Sequence, residues 1–137
     1  MSARSFFDSN ILVYSDDARA PEKQARALGL IERCRIERTG VVSTQVLQEY
    51  FVTSTKKLKV PAEISRRKTE LFSHFDLVRI GIDDILAAID LHRSHQFSFW
   101  DALIVRAALR SGCSFLLSED LQAGRKIGDL EIVNPFR

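Results

Sequence analysis

Four acidic side chains, Asp8, Glu49, Asp101 and Asp120, are the residues of this chain that could do chemistry together. They lie far apart in sequence, so only a fold can unite them. Like charges brought together repel and raise one another's pKa. A divalent cation removes that conflict, and an all-oxygen donor set suits Mg²⁺ or Mn²⁺, ions that keep several of their waters. A partly hydrated ion on carboxylates is what cleavage of a phosphodiester requires. It orients a water nucleophile and stabilises charge on the phosphate and the leaving oxygen. No Ser-His-Asp arrangement, glycine-rich phosphate loop or HExxH motif offers a competing chemistry.

Each acid also has a plain structural reading. Asp8 interrupts an apolar run, Phe6-Phe7 before it and Ile11-Leu12-Val13-Tyr14 after, and Asp8-Ser9-Asn10 could simply cap a helix. Asp120, in Leu117-Ser118-Glu119-Asp120, could do the same. Asp101 is harder to explain that way. It stands third after Ser98, where a capping box places an acid. Yet the helix that follows is apolar nearly all round, and Asp101 shares the face of Ile104 and Ala108. An ionised Asp facing a core needs a cation or strong donors. Glu49 falls off the apolar stripe of Val46, Leu47, Tyr50 and Phe51, where a solvent-facing Glu would sit.

The elements that must position these residues alternate between strand and helix. Short strands are expected at Phe6-Phe7, Val41-Val42, Leu77–Ile80, Ser114–Leu117 and Glu131–Val133. Helices are expected from Ala18 to about Arg38, opened by Pro21, and from Gln45 to Leu58, capped by Ser43-Thr44. Others run from Pro61 to about Phe75, from Asp83 to about His95, and from Ser98 to Gly112. Short apolar strands separated by helices predict a three-layer α/β/α domain, Rossmann-like, with a central parallel sheet of about five short strands. In such sheets sites form beyond the carboxyl ends of the strands, at the topological switch point. Asp8 and Asp120 follow the first and fourth strands, so adjacent strands would bring both carboxylates to one edge.

The 137 residues fit one domain, 1–137, long enough to bury a core. Hydrophobic residues at 45% and charged residues at 28% are those of a globular chain, and no apolar run approaches a membrane span. So few residues precede Asp8 that no signal peptide is expected. Cys34 and Cys113, isolated and without CxxC spacing, predict core or boundary positions, a reducing cytoplasm and no zinc site. Net charge is only +2. Its distribution matters more, because Lys56, Lys57, Lys59, Arg66, Arg67 and Lys68 cluster, either as a solvated helical surface or as a phosphate-facing rim. Asp16 and Asp17 read as loop residues, and Asp83, Asp84 and Asp90 as helix surface.

Phe6-Phe7-Asp8-Ser9-Asn10, Gln45-Val46-Leu47-Gln48-Glu49, Ser98-Phe99-Trp100-Asp101-Ala102 and Leu117-Ser118-Glu119-Asp120-Leu121-Gln122, in this order, resemble the PIN-domain ribonucleases. The VapC-like toxins of toxin–antitoxin pairs are the branch they resemble most. The resemblance spans essentially the whole chain. It implies that Asp8, Glu49, Asp101 and Asp120 surround a Mg²⁺ or Mn²⁺ site, with Asn10 and Ser118 in supporting hydrogen-bond roles. It implies metal-dependent endonucleolytic cleavage of RNA. It also implies a homodimer inhibited by a small antitoxin that covers the acidic cleft. Glu119 is not a ligand position of the pattern.

An acidic pocket alone repels RNA, so Lys56 and Lys57, joined by Arg106 and Arg110, are the expected basic rim. Phe97, Phe99 and Trp100 could stack on bases, but core packing or a dimer interface explains them better. Two other functions compete. A haloacid dehalogenase-like phosphatase also has an Asp after its first strand, but wants a general acid two residues later, where this chain has Asn10. A non-catalytic domain could bind RNA or a protein partner through the same cleft, which the presence of all four acids argues against.

Overall fold

Phe6, Phe7, Val41, Val42 and Leu116 are fully buried, as strands covered on both faces require. The computed structural model describes residues 3–137. Its elements are β1 (Ser5–Phe7), α1 (Ser9–Tyr14), α2 (Pro21–Glu37), β2 (Gly40–Ser43), α3 (Thr44–Lys56) and α4 (Ala62–Phe72), then β3 (Asp76–Val78), α5 (Ile82–His95), α6 (Phe99–Arg110), β4 (Phe115–Leu117), β5 (Lys126–Ile127) and β6 (Leu130–Val133). The six strands form one sheet in the order β3-β2-β1-β4-β6-β5, flanked by helices. Every pairing is parallel except that of β5 with β6.

The chain builds outward from β1 through β2 to β3, then returns to lay β4 on the other side of β1. The switch point therefore falls between β1 and β4. Their register pairs Phe7 with Leu117, so the next residues, Asp8 and Ser118, emerge side by side. The sheet is larger than expected by the two-residue β5, a hairpin arm that turns back through Gly128 at φ +58°. Its sequence, Lys126-Ile127, is too short to carry a periodic signal. The helix after Pro61 ends at Phe72, three residues early, because Phe75 turns in to pack on Phe7 with ring centroids 5.5 Å apart. An added Cβ on Gly40 would meet that Phe75 ring at 2.5 Å, so the residue there must be glycine for the ring to lie against β2.

Two buried polar clusters tie the helices together, and both revise the sequence reading. Asp84 is 3% exposed, not surface. Its carboxylate accepts from Arg106 Nε at 3.1 Å, from an Arg110 guanidinium nitrogen at 2.9 Å and from the Gly81 N–H at 3.0 Å. Arg106 and Arg110 thus join α6 to the start of α5 and are not the free rim cations expected. Burial alone would push the Asp84 carboxyl up; the Gly81 N–H and the two arginines outweigh it and hold the group below the usual range. Likewise Asp16 is not a loop bystander. It accepts from Tyr50 Oη at 2.6 Å and forms an ion pair with Lys68, which removes Lys68 from the basic rim.

A carboxyl held low contributes stability that is present above its ordinary pKa and fades as pH falls through the depressed one. Asp84→Asn should therefore lower the unfolding free energy at pH 7 by about 2–4 kcal/mol, because it leaves two arginines facing a lost partner. Urea denaturation of the two proteins measures this, and the gap should narrow towards pH 3. Equal midpoints at pH 7 would show that the cluster is not structural.

Candidate active site

Asp8 is both a cap and a buried acid, so its two sequence readings are not alternatives. Its backbone leaves β1 by donating to Leu117 O at 3.0 Å, which keeps the residue locked to β4. Its Oδ1 then caps α1 by accepting the Ser9 N–H at 2.7 Å. Its Oδ2 accepts from Ser118 Oγ at 2.7 Å and from Asn10 Nδ2 at 3.4 Å. Asp8 is only 5% exposed. Burial pushes its carboxyl up to about 6; the Ser118 and Ser9 bonds oppose the rise, while the neighbouring Glu49 and Asp120 charges add to it. Asp8 therefore feels two of the other three predicted acids.

Ser118 organises the other wall. While its Oγ donates to Asp8, it accepts the N–H groups of Asp120 and Leu121, each at 3.2 Å. Asn10 completes the bridge: its Nδ2 donates to Asp120 Oδ2 at 3.1 Å and its Oδ1 accepts the Glu119 N–H at 3.2 Å. Asp120 does not cap a helix, because residues 118–125 form bends and turns that lead into β5. The Asn10 amide donates hydrogen bonds to both acids but has no titratable proton to transfer, so it cannot be the general acid a phosphatase would need there.

Glu49 is half-buried, not solvent-facing. The reason is Gln45, one helical turn earlier and 6% exposed, a residue the sequence reading passed over. Its Nε2 donates both to Glu49 Oε2 and to the backbone oxygen of Trp100, each at 3.1 Å. One amide thus ties α3 to the start of α6, beside Asp101. The i,i+4 spacing of Gln45 and Glu49 was the available signal. Gln45 Oε1 is buried with no hydrogen-bond partner among the described residues.

Asp101 is likewise half-buried, on the first turn of α6. Its N–H donates to Ser98 Oγ at 3.1 Å, but its carboxylate returns no bond to the cap, so only half of a capping box is formed. The acid is left free for another role.

Among the described residues, no three acidic, His or Cys side chains stand close enough to chelate one ion unaided. The donor set is nonetheless all oxygen, with one acid raised by burial, and further by its neighbours, and three acids that solvent reaches. That arrangement fits a hard cation that retains waters, not a closed protein cage.

The remaining predicted residues divide. Lys56 and Lys57 are exposed at the end of α3, and Lys57 lines a 210 Å³ cleft together with Asn10, Tyr14, Asp17 and Asp120. Cys34 and Cys113 are buried core thiols, as expected, and burial pushes both up. Phe97 is core, whereas Trp100 is 63% exposed. Glu119, which no pattern singled out, accepts from Tyr14 Oη at 2.6 Å and from Lys23 Nζ at 2.5 Å. Burial raises it, but the Lys23 and Tyr14 bonds outweigh that and hold it below the usual range.

An acid raised by burial and repulsion is a cost to the fold. Its stabilising contribution is complete below pH 3.8 and is lost as pH rises through about 6. Asp8→Asn should therefore stabilise the protein in EDTA at pH 7.5 by about 1–3 kcal/mol and flatten its stability between pH 4 and 7. Urea midpoints measured across that range check it, and a destabilised variant at pH 7.5 would refute it.

The PIN domain family matches residues 5–127 of the chain. A search of curated proteins finds no match. Several solved structures share the fold. A toxin–antitoxin complex from Klebsiella pneumoniae superposes with a TM-score of 0.69 at 20% identity, covering 96% of this chain and 97% of that one. VapC20 of Mycobacterium tuberculosis, described as a sarcin-ricin loop cleaving toxin, gives 0.63 at 18% identity over 82% and 86%. VapBC2 of Rickettsia felis, solved on a DNA fragment from its promoter, gives 0.67 at 18% over 93% and 96%. With the family match spanning β1 to β5, the chain belongs to the PIN-domain family.

Proposed function

We propose that this protein is a Mg²⁺- or Mn²⁺-dependent endoribonuclease, the toxin of a toxin–antitoxin pair that acts in the cytoplasm. The observation that carries the reading is Asp8: a nearly solvent-free carboxylate, held between β1 and β4, whose charge is opposed by Glu49 and Asp120. Such a residue is a poor choice for stability and a good one for binding a cation. Asp8, Asp101 and Asp120, with Glu49, would hold the ion, which when bound supplies Lewis-acid stabilisation of the phosphate and a water of lowered pKa.

The chain's own residues do the rest. Ser118 and Asn10 fix the direction of the Asp8 and Asp120 carboxylates, so neither must reorganise on binding. Gln45 sets Glu49 against the start of α6, so the third and fourth acids arrive together. The VapC toxin among the structural neighbours supports RNA as substrate, and the neighbouring complexes support a small antitoxin as the partner covering the cleft. Among the described residues no helix is long and apolar enough to cross a membrane. A homodimer is supported by the exposed Ile82, Leu86 and Ile89, which recur at helical spacing on α5, and by the exposed Trp100.

Purified protein should cleave RNA when Mg²⁺ or Mn²⁺ is added, and EDTA should stop it. Asp101→Asn should lower the rate roughly 100-fold or more without changing the fold. Cleavage that persists in EDTA, or turnover of para-nitrophenyl phosphate in place of RNA, would overturn the reading.

Gln45→Leu keeps the shape of the buried side chain and removes an orphaned oxygen, so stability should hold within about 1 kcal/mol. Cleavage should nonetheless fall about 10- to 100-fold, as expected of a group that orients a ligand carboxylate. Full activity in this variant would show that Glu49 needs no tether.

A further inference from the structure

The proposed substrate is a polyanion, and several cations of the expected rim and its surroundings are already committed. Arg106 and Arg110 belong to Asp84, Lys68 to Asp16, and Lys23 to Glu119. The attraction must come from elsewhere.

Two clefts meet on the segment after β4. The 210 Å³ cleft noted above has Lys57 on its wall, and a second one of 640 Å³ is lined by Gln122, Arg125 and Arg137. Glu119 and Asp120 belong to both. Glu119 is neutralised by Lys23 at 2.5 Å, so Asp120 is the uncompensated acid on the shared wall. It stands between a lysine in one cleft and two arginines in the other. None of these three cations is in an ion pair among the described residues.

Both arginines are placed by packing. The Arg125 guanidinium lies 4.1 Å from the centroid of the Phe97 ring and donates to His95 O at 2.5 Å, which leaves its other N–H groups unused. A guanidinium already stacked loses little freedom when it grips a phosphate. Arg137 is exposed but rides on a fixed segment: Arg26 Nε donates to Pro135 O at 2.7 Å, and Phe136 packs edge-on against Tyr14 with centroids 5.0 Å apart. Tyr14 lines the Lys57 cleft, so one aromatic pair underlies both sides of the path.

We propose that Lys57 on one side, and Arg125 with Arg137 on the other, are the phosphate-binding walls of a groove that carries single-stranded RNA across Asp120. This rests on the nuclease reading and deepens it. A single strand suits such a path, because its flexible backbone can follow two adjoining clefts with cations on either side. The groove keeps Lys57 from the expected rim and adds Arg125 and Arg137, which a count of clustered lysines and arginines did not select.

The test uses the full chain carrying Asp101→Asn, so that RNA is bound and not cut. Binding of a fluorescein-labelled 12-nucleotide oligouridylate is followed by anisotropy at increasing KCl. Each phosphate contact on a single strand contributes about 0.7 to the slope of log K against log salt. Arg137→Gln and Lys57→Gln should each reduce the slope by about 0.7, and the double variant by about 1.4. Arg33→Gln, a control on α2, should leave it unchanged. Arg125→Lys keeps the charge and loses the stacked fork, so it should weaken binding while preserving the slope. Slopes unaffected by Arg137→Gln and Lys57→Gln, in a protein that binds RNA and whose wild type cuts it, would overturn the groove and leave the nuclease intact. A wild type that neither binds nor cuts RNA would remove both.

Discussion

An aspartate almost without solvent cannot remain ionised unless something else in the molecule carries its charge. Asp8 is that residue, and much of the fold can be read as the means of holding it. Parallel pairing of β1 with β4 sets Phe7 against Leu117 and so delivers Asp8 beside Ser118. The pairing exists because the chain crosses from β3 on one side of β1 to β4 on the other, which opens a crevice at the carboxyl ends of the two strands. The six residues of α1 then begin on Asp8 itself. Strand, switch point and cap converge on one side chain, and two further acids raise its affinity for a proton. The same interactions would raise its affinity for a metal ion.

How far the sequence discloses this follows from how local each signal is. The strands at Phe6-Phe7 and Leu116-Leu117 were legible because a strand buried on both faces is a bare apolar run. The polar residues that follow them were legible because sites gather where such strands end. Glu49 was not. Its helix shows an apolar stripe, and an acid off the stripe reads as solvent-facing. Position 45 decides otherwise, since a buried glutamine turns the adjacent strip of α3 inward and no periodicity marks an amide as buried. β5 was missed because two residues carry no period. Asp101 was correctly set apart as an acid the cap does not explain, although it is half-exposed, not facing the core.

The basic residues teach the same lesson in charge. Arg106 and Arg110, one turn apart on α6, looked like a polar stripe open to solvent. Their partner, Asp84, lies on the previous helix, and the ion pairs form only because α5 and α6 pack side by side. Lys68 finds Asp16 across α4 and the end of α1 in the same way. A cluster of cations in sequence therefore measures supply and not availability. Arg125 and Arg137 show the converse: neither belongs to a basic run, yet packing on Phe97 and the Phe136–Tyr14 pair delivers both to the cleft beside Asp120.

The uncompensated terms of this structure are not scattered. The raised acid at Asp8 feels the charge of Glu49, Gln45 with its orphaned Oε1 holds Glu49, and the same amide reaches the Trp100 oxygen next to the free carboxylate of Asp101. Among the described residues no other buried side-chain nitrogen or oxygen lacks a partner, down to the Ser54–Ser65 hydroxyl pair at 2.8 Å between α3 and α4. A fold selected for stability alone would place an apolar residue at position 8 and close the crevice. Keeping the deficit there makes the folded state the form that gains most from a bound cation, because a ligand that binds only the native protein stabilises it by mass action. Binding strength and local instability are then two readings of one electrostatic strain, and the residues that hold Asp8 in place are those that keep the strain from being relaxed by a movement of the chain.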